Sequence, residues 1–433
     1  MNPLALELNE VISNKSETIF SLLSKKGKRI YFPKKGILAQ AAEAKGKKIN
    51  ATIGEAVEDD GTPMRLPSIE KGVNLKPAQV FPYAPSFGRP DLREKWKALL
   101  PVKNPSLAGK EISLPVVSSA LTHGLSIIGY LFLDDEDKLL LPDIYWDNYE
   151  LVFANGYGAT LDCFNLFSEG SIDLEAIKHK LNTPVVGKKV LLLNFPNNPT
   201  GYTPRVDEVK ALVNIIKESA DKGNRIVVII DDAYFGLVYE EGIEKESIFS
   251  YLADLHDNVL AVKLDGPTKE DYVWGFRVGF ITYGIKHGTK ELYTALEAKT
   301  AGAIRGNISN AANLSQSLLL NAYESESYPQ EKAQKFDILK TRYEAVKEAL
   351  KKPEYAQYFE PLPYNSGYFM CVKLKGELDG EVVRQILLKD FETGLIYIAG
   401  VLRIAYSSVS KEKIQTIFDN IYQACQKASA QLS

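Results

Sequence analysis

Polar side chains follow apolar runs at several points of this sequence of 433 residues. The segment NFPNNPTG, residues 194–201, follows the run VLLL, and DDAYFGLVYE begins at Asp231 directly after RIVVII. Asparagine, proline and glycine suit an ordinary loop, and Asp231 also suits a helix or turn cap. Alternatively, two parallel strands deliver Asn198 and Asp231 to the carboxyl edge of a sheet, where ligands bind in open α/β folds.

The segment DGPTKEDYVWGFRVGF, residues 265–280, places one lysine where its amine could act as a nucleophile. Lys269 is followed eight residues later by Arg277, and Trp274 and Phe276 lie between them. One interpretation is a surface lysine whose stem packs on the aromatic side chains. The other is a desolvated amine whose pKa is lowered, so that it can form a Schiff base with an aldehyde. The local sequence leaves both interpretations open.

The elements that must position these residues are a predicted strand, helix and strand. The run VLLLNF precedes the pattern VDEVKALVNIIKESADKG, which precedes RIVVIIDDAY. The apolar residues that recur at helical spacing in the middle piece are Val206, Val209, Leu212, Val213 and Ile216. A crossover of this length joins parallel strands, so Leu193 and Ile230 should emerge at the same edge of one sheet. We therefore expect Asn198 and Asp231 to be neighbours.

Further apolar runs predict more strands, and the pattern changes after about residue 300. The predicted strands are 138–142, 258–264 and 277–283 in the first part and 367–374 and 401–408 in the second. A long helical pattern over residues 329–352 and a closing helix to Ser433 accompany the later strands. The predicted fold class is α/β, with a large domain around a mostly parallel central sheet flanked by helices and a smaller α+β domain. The Pro- and Gly-rich residues 66–92 are expected to link an N-terminal segment to the large domain.

Composition and charge argue against several classes of function. Lysine plus arginine number 52 and aspartate plus glutamate 55, so the formal net charge of -3 disfavours nucleic acid or an anionic membrane as the main partner. No apolar stretch approaches the roughly 20 residues that cross a bilayer, and the amino terminus lacks a secretory layout, so a cytoplasmic location is predicted. Neither a disulfide framework nor a metal site is predicted, because the cysteines and histidines have no paired spacing. These residues are Cys163, Cys371, Cys425, His123, His179, His256 and His287.

Four motifs occur in the order and rough spacing of one enzyme family. They are NNPTG at Asn197–Gly201, D-x-A-Y at Asp231–Tyr234, Lys269 with Arg277, and RIAYSS at Arg403–Ser408. On these motifs the chain resembles the class I/II aminotransferases, fold type I enzymes that use pyridoxal 5'-phosphate (PLP), and it is aspartate aminotransferase-like over residues 54–408. The resemblance implies an N-terminal segment (1–70) that contributes to the small domain, a large PLP-binding domain (71–310) and a C-terminal small domain (311–433).

The resemblance implies roles for the polar residues at the sheet edge. Lys269 would hold PLP through a Schiff base and then, once displaced by the substrate, act as the base and acid that moves the substrate's α-proton. Asp231 would pair with the pyridine nitrogen and keep it protonated, which makes PLP an effective electron sink. Asn198 and Tyr234 would hydrogen-bond the phenolic oxygen of the ring, and Arg277 would bind the phosphate with its planar fork.

Further cofactor contacts follow from the same resemblance. The turn SSALTHGLS opens a helix whose N-terminus favours anions, and it carries Ala120 and Leu121 where many relatives have glycines. Thr268 matches a position that often holds serine in the family and is an expected phosphate ligand. Trp146 in DIYWDNY resembles the aromatic residue that stacks on the pyridine ring. Tyr145 is an equally good candidate for stacking, and a core aromatic is the alternative interpretation of both.

The resemblance also implies substrate contacts and a second subunit. Arg403 matches the arginine that binds the amino acid's α-carboxylate with two hydrogen bonds, and Gly54 would present backbone near this carboxylate. Arg305 in AIRGNISNAAN resembles an arginine that, in aspartate aminotransferase, reaches the substrate's side-chain carboxylate from the other subunit; a surface or interface salt bridge is the alternative. Tyr83 matches a tyrosine that reaches the phosphate of the neighbouring subunit's cofactor. A homodimer with shared active sites is therefore predicted.

The function that these expectations favour is an aminotransferase that exchanges the amino group of an L-amino acid with a 2-oxo acid by a ping-pong route, with acidic amino acids as the substrates that Arg305 indicates. Carbon-sulfur lyases, decarboxylases and cyclopropane-forming synthases share the frame, because the protein decides which bond breaks. A PLP-binding sensor of transcription is disfavoured, since residues 1–50 offer neither a helix-turn-helix nor a basic patch. A nicotinamide-binding protein is disfavoured because no G-x-G-x-x-G joins a strand to a helix.

Overall fold

The computed structural model describes residues 1–33 and 36–431 of the chain. The α-helices in these residues are α1 (Pro3–Lys15), α2 (Glu17–Leu22), α3 (Lys25–Arg29), α4 (Ile37–Glu43), α5 (Pro67–Lys71), α6 (Pro77–Val80), α7 (Pro90–Lys103), α8 (Ala120–Phe132), α9 (Leu174–Leu181), α10 (Val206–Asp221), α11 (Phe249–Leu252), α12 (Pro267–Glu270), α13 (Lys290–Asn307), α14 (Asn313–Tyr323), α15 (Tyr328–Ala349), α16 (Gly380–Asp390) and α17 (Lys411–Ala430). The strands are β1 (Ile49–Asn50), β2 (Val116–Ser118), β3 (Lys138–Pro142), β4 (Thr160–Phe164), β5 (Phe167–Ser168), β6 (Ser171–Ile172), β7 (Lys188–Asn194), β8 (Arg225–Asp231), β9 (Val259–Asp265), β10 (Gly279–Gly284), β11 (Phe359–Pro361), β12 (Phe369–Leu374), β13 (Thr393–Gly394), β14 (Ile396–Ile398) and β15 (Val401–Ala405).

A seven-stranded sheet in the order β2-β10-β9-β8-β7-β3-β4 forms the centre of the molecule. The run from β9 to β4 is parallel, and β10 is antiparallel to both of its neighbours. Leu193 pairs with Ile230, and Asn194 pairs with Asp231. The predicted α/β class and mostly parallel sheet are confirmed, and β7 and β8 end at the same edge as expected.

The central strands are apolar on both faces because helices cover both sides of the sheet. All four residues of the run 190–193 are buried, as are Ile229 and Ile230 of β8. In α10, Val209 and Leu212 are buried, whereas Val206 at the first turn is 36% exposed. Of the five apolar positions that recur at helical spacing, Val209, Leu212 and Ile216 are buried, Val213 is half-buried and Val206 is exposed.

A second, antiparallel sheet in the order β11-β12-β15-β14 lies in the C-terminal part and carries Arg403 in an interior strand. Strand β1 pairs in parallel with β13. In α4, Gln40 donates to the carbonyl oxygen of Tyr397 at 2.9 Å and accepts from its N–H at 2.7 Å. These contacts join residues 37–50 to the C-terminal sheet. The domain boundaries at residues 70 and 310 stay predictions.

Some elements differ in detail from the sequence-based expectations. The segment 66–92 is not wholly irregular, since it contains α5 and α6 and the first residues of α7. The final helix ends at Ala430, and the last two residues of the predicted closing helix lie outside the described part of the chain. Residues 406–408 form a 3-10 turn after β15 rather than more strand.

Candidate active site

A cavity of about 360 Å³ opens at the carboxyl edge of the central sheet, within the size range of small-molecule sites. It contains every residue predicted for the site except Tyr83 and Arg305. The lining residues are Ile37, Ile53, Gly54, Glu55, Ala120, Leu121, Thr122, Trp146, Tyr149, Asn194, Asn198, Asp231, Ala233, Tyr234, Thr268, Lys269, Trp274, Arg277, Phe369 and Arg403. Side chains from both halves of the chain thus meet in one place.

The loop after β7 is built by its asparagine side chains. Asn194 donates from Nδ2 to the carbonyl oxygen of Asp231 at 2.8 Å and accepts from the N–H of Asn198 at 2.8 Å. Asn197 accepts from the N–H and hydroxyl of Thr200. A glycine is required at position 201, where φ is +72° and a Cβ would lie 1.9 Å from a backbone carbonyl oxygen of β12. The segment is therefore both a turn and a rigid support that carries Asn198 into the cavity.

Asp231 is 2% exposed and ends β8 at the cavity. Its Oδ2 accepts a hydrogen bond from the hydroxyl of Tyr149 at 2.6 Å, and its Oδ1 accepts from the N–H of Ala233 at 3.2 Å. Burial raises the pKa of Asp231 above its ordinary value, and the Tyr149 hydrogen bond and the Lys269 ammonium oppose this rise. The carboxylate is thus suited to a cationic partner inside the cavity.

Lys269 lies in the single turn α12, directly after β9, and its amine faces the ring of Tyr234 at 5.1 Å from the centroid. Burial lowers the pKa of Lys269 to about 8; Asp231 opposes this effect and the Arg277 guanidinium adds to it. At neutral pH the neutral amine is therefore about two orders of magnitude more populated than in an ordinary lysine. This is the property that the nucleophile interpretation of Lys269 requires.

One end of the cavity is suited to an anion. The N-terminus of α8 has no side-chain cap, and Ala120 at its first position has φ of +63°, which costs about 1–2 kcal/mol for a residue with a Cβ. The hydroxyl of Thr268 is buried without a hydrogen-bond partner in the described chain. Arg277 is exposed and makes a hydrogen bond to the carbonyl oxygen of Trp274 at 3.1 Å. A helix N-terminus, a free hydroxyl and a guanidinium are groups that favour an anion, and the binding of phosphate here stays a prediction.

Arg403 reaches from β15 into the cavity and is 2% exposed. Its Nη1 donates to Oδ1 of Asn198 at 3.0 Å, and its Nη2 donates to the carbonyl oxygen of Thr52 at 2.8 Å. Its Nε is buried and has no hydrogen-bond partner in the described chain. A guanidinium has five N–H groups, so three remain for a ligand. Phe369 packs under the guanidinium at 4.2 Å.

Gly54, Tyr234 and Trp146 complete the cavity wall. A Cβ at Gly54 would lie 3.1 Å from the ring of Phe369 and 3.4 Å from the hydroxyl of Tyr234, so the backbone approaches these side chains closely. Tyr234 is 4% exposed, and burial raises its pKa. Trp146 packs edge-to-face on Tyr149 at 5.6 Å and lines the cavity, whereas Tyr145 does not line it.

The comparison with known proteins decides the family. Residues 47–421 match the family described as Aminotransferase class I and II. The chain belongs to this family, and the enzyme is an aminotransferase. The matched range begins at residue 47, so it does not include residues 1–46 of the aminotransferase.

Individual relatives agree with this assignment. An aspartate aminotransferase of Bacillus subtilis (strain 168) is 24% identical over 303 residues, which are 67% of this chain and 70% of that protein. A probable aspartate/prephenate aminotransferase of Aquifex aeolicus (strain VF5) is 27% identical over 289 residues, which are 64% and 68% of the two chains. The crystal structure of an aminotransferase from Anaerococcus prevotii superposes with a TM-score of 0.79 at 24% identity over 89% of this chain and 94% of that one. The structure of the aspartate aminotransferase from Thermus thermophilus with maleate superposes with a TM-score of 0.74 at 18% identity, over 93% of this chain and 99% of that one.

Two predicted residues of the aminotransferase lie outside the cavity. Tyr83 is 91% exposed and does not line it. Arg305 is exposed in the last turn of α13, where its Nη1 donates to the hydroxyl of Ser309 at 2.7 Å. Both residues are predicted to act on a neighbouring subunit, and that role stays a prediction.

Several residues of the site carry only a weak signal in the sequence or none. Tyr149, which holds Asp231, stands three residues after Trp146, but nothing in the segment WDNY marks it as the partner of Asp231. In the sequence, Asn194 looks like an ordinary turn residue. In the structure it lies opposite Asp231 in the neighbouring strand, and this register lets its side chain support the end of β8. Ile37 lies far from the other motifs in sequence, so no local signal marks it.

Within residues 1–33 and 36–431, no three His, Cys, Asp or Glu side chains are grouped so that they could hold a metal ion. The three cysteines are unpaired thiols. In the same part of the chain, no helix combines the length and apolar character needed to cross a membrane.

Proposed function

We propose that this aminotransferase binds PLP in the cavity at the sheet edge and uses it to exchange the amino group of an L-amino acid with a 2-oxo acid. The observation that carries the proposal is the pair formed by the Lys269 amine, with its pKa lowered to about 8, and the buried carboxylate of Asp231 in the same cavity. A neutral amine can attack an aldehyde, and a buried carboxylate favours a protonated ring nitrogen.

The residues present fit the cofactor. The partnerless hydroxyl of Thr268, the exposed guanidinium of Arg277 and the uncapped N-terminus of α8 would hold the phosphate. The ring nitrogen would pair with Asp231, and the phenolic oxygen would accept hydrogen bonds from the two predicted donors, Asn198 and Tyr234. The indole of the cavity wall, Trp146, would stack on the ring. When bound, PLP supplies an electron sink that stabilises the charge left at the substrate's Cα.

The chain's own groups then position the substrate and move its proton. Arg403 keeps three N–H groups after its hydrogen bonds to Asn198 and Thr52, enough to hold the α-carboxylate at two points. Gly54 presents backbone beside it. A substrate fixed in this way directs one Cα–H bond toward the Lys269 amine, which removes the proton as a base and returns it as an acid. Burial keeps the amine available for both roles near neutral pH.

We further propose a homodimer that prefers acidic amino acids. The relatives are named aspartate and aspartate/prephenate aminotransferases, and the Thermus thermophilus structure contains maleate, a dicarboxylate. In the described part of this chain, the cationic side chains that line the cavity are Lys269, Arg277 and Arg403, all with other proposed roles. A second substrate carboxylate therefore needs a cation from elsewhere. Arg305 of the partner subunit is the proposed source, and the partner's Tyr83 would reach the phosphate. The cytoplasmic location stays a prediction that cell fractionation tests.

The direct test of the proposal is the variant Lys269→Ala, compared with Lys210→Ala on the exposed face of α10. We expect Lys269→Ala to lose covalent PLP, measured by absorption and by mass spectrometry after borohydride reduction, and to lose nearly all transamination. Lys210→Ala should behave as the wild type. Normal turnover in Lys269→Ala would refute the assignment.

A further inference from the structure

The turn that carries Lys269 is followed at once by two buried carboxylates. Glu270 is 4% exposed and Asp271 is fully buried. Helix α12 is a single turn, and so short a helix has little stability of its own. Side-chain contacts made by these two residues must therefore fix where the turn lies. Transamination as proposed uses neither carboxylate.

The two carboxylates are anchored from three different helices. Lys103 at the end of α7 pairs with Oε1 of Glu270 at 2.6 Å, and Lys332 of α15 pairs with the same oxygen. Lys332 also lies 3.3 Å from Oδ1 of Asp271. The hydroxyl of Tyr323 at the end of α14 donates to Oδ2 of Asp271 at 2.8 Å, and the tyrosine hydroxyl at the start of α15 donates to Oδ1 at 2.6 Å. Lys332 is the group that joins both carboxylates.

The backbone around Lys269 is held as well. The hydroxyl of Tyr368 donates to the carbonyl oxygen of Lys269 at 3.0 Å, and the N–H of Asp271 donates to the carbonyl oxygen of Pro267 at 2.8 Å. Tyr272 has φ of +60° and is 4% exposed, a strained conformation for a bulky side chain that persists only when its surroundings fix it. The turn is therefore constrained on both sides of the reactive lysine.

The charges of this cluster depend on one another. Although burial raises the pKa of Glu270, the ammonium groups of Lys103 and Lys332 hold it well below its ordinary value. Burial lowers the pKa of Lys332, but Asp271 and Glu270 raise it above its ordinary value. Removal of one partner would leave an uncompensated charge in the buried turn that carries Lys269. An apolar cluster of the same volume would support the fold without this dependence.

We propose that Lys332, acting through Glu270 and Asp271, is a positioning residue that fixes the Lys269 amine in the cavity and couples it to helix α15. This inference rests on the proposed function, in which Lys269 is the reacting amine. The same helix also contacts two segments that lead away from the cavity, since its Arg342 donates to the carbonyl oxygens of residues 57 and 407. Helix α15 thus ties the lysine turn to the segments that follow the predicted substrate residues at positions 54 and 403.

The charged and titratable groups that face the Lys269 amine directly are not part of the cluster of Glu270, Asp271 and Lys332. Asp231 faces Lys269 from β8 and Arg277 from the segment before β10, and the ring of Tyr234 lies under the amine. These groups are untouched by changes at Lys332. A change in the behaviour of Lys269 on substitution of Lys332 therefore reports on the cluster of Glu270 and Asp271.

The test measures covalent capture of PLP by the protein stripped of cofactor, as a function of pH, with borohydride trapping and peptide mass spectrometry to locate it on Lys269. In the wild type the capture rate should rise through about pH 8. Lys332→Met and Glu270→Gln each remove an anchor of the turn, so the amine should move relative to Asp231 and Arg277, the two charged groups that act on its pKa. We expect the midpoint to shift by roughly 0.5–1 pH unit and the rate at pH 7.5 to fall roughly 3- to 10-fold in both variants. Lys332→Arg should restore the wild-type profile.

Lys335→Met is the matched control, because Lys335 lies one turn along α15 and pairs with Glu58 at 2.6 Å rather than with the lysine turn. Its capture profile should match the wild type. An unchanged midpoint and an unchanged capture rate in both Lys332→Met and Glu270→Gln would overturn the proposal and leave the cluster a purely structural one. If Lys332→Met does not fold by circular dichroism, the profile of Glu270→Gln decides. Failure of the wild type to capture PLP on Lys269 at any pH would instead refute the proposed function.

Discussion

Two single residues show how neighbours change acidity in the site. Asp231 and Lys269 are both buried, and burial acts on them in opposite directions, raising the pKa of the acid and lowering that of the amine. Each effect favours the neutral form. A cationic ring nitrogen beside Asp231 would restore its charge, so binding of PLP and ionisation of Asp231 support each other.

The hydrogen bond from Tyr149 to Asp231 gives a first prediction. Removal of its hydroxyl in Tyr149→Phe takes away a donor that stabilises the ionised form of Asp231, so the pKa of Asp231 should rise further and its pairing with the ring nitrogen should weaken. We expect roughly 3- to 10-fold weaker PLP binding by equilibrium dialysis and a similar loss of kcat. Tyr145→Phe is the control, since Tyr145 does not line the cavity. Equal effects of the two variants would contradict the role of Tyr149.

The fork of Arg403 gives a second prediction. In Arg403→Lys the positive charge remains, but the bidentate geometry and the support of Asn198 are lost. We expect kcat/KM for the amino acid to fall about 10- to 100-fold, with little change in PLP affinity. Steady-state kinetics and a PLP titration of the same variant separate these outcomes. A large loss of PLP binding would show that Arg403 supports the fold of the cavity rather than the substrate.

Many residues of the site could be predicted because their chemistry is tied to residue types at fixed spacing. Lys269, Asp231 and Arg403 each stand within a recognisable motif. Tyr149 could not be found in this way, because a tyrosine on a helix has many ordinary uses and its partner lies 82 positions away. Ile37 escapes prediction for the same reason, since only the folded chain brings it to the cavity.

Among the elements of the fold, strand register decides which side chains meet. Asn194 lies opposite Asp231 across β7 and β8, and this register lets one amide side chain support both the strand end and the next loop. Apolar runs and helical period predicted these strands and α10 well, because buried parallel strands are continuously apolar. The antiparallel direction of β10 and the short helices in residues 66–92 depend on long-range packing, which the local pattern does not contain.

Gly201 gives a prediction about the loop after β7. A Cβ at this position would meet the carbonyl oxygen of Phe369 at 1.9 Å in addition to the strain of φ at +72°. Gly242 has a similar φ of +78°, with nothing within 4 Å of a built Cβ. Gly242→Ala should therefore cost about 1 kcal/mol and Gly201→Ala at least about 1–3 kcal/mol more. Thermal unfolding compares them, and equal losses would mean that the loop yields to the added methyl group.

In the molecule as a whole, the cavity gathers residues from β8, α12, β15 and the segment before α5, so both sheets must be in place before the site exists. The proposed dimer would complete it with Arg305 and Tyr83 from the partner subunit. Neither residue lines the cavity of its own chain, and both are exposed. Each complete site of such a dimer needs residues from two chains.

Subunit mixing tests the shared site. Lys269→Ala and Arg305→Ala are each expected to have low activity with L-aspartate. The first variant lacks the amine, and the second lacks the contact to the substrate's side-chain carboxylate. When the two variants are refolded together, roughly half of the dimers are mixed, and each mixed dimer has one site in which both residues are intact. We therefore expect activity on L-aspartate to recover to roughly a quarter of the wild-type value. No recovery, with mixed dimers demonstrated by differential tagging, would contradict the sharing of sites.

Whether the cavity holds PLP and performs transamination is decided by the absorption spectrum of the purified protein. Spectra are recorded before and after addition of L-aspartate, L-glutamate and other amino acids, and again after a 2-oxo acid. We expect a visible band that disappears with an acidic amino acid and returns with the oxo acid. Failure to bind supplied PLP would contradict the proposed function, and so would a bound cofactor that no amino acid changes.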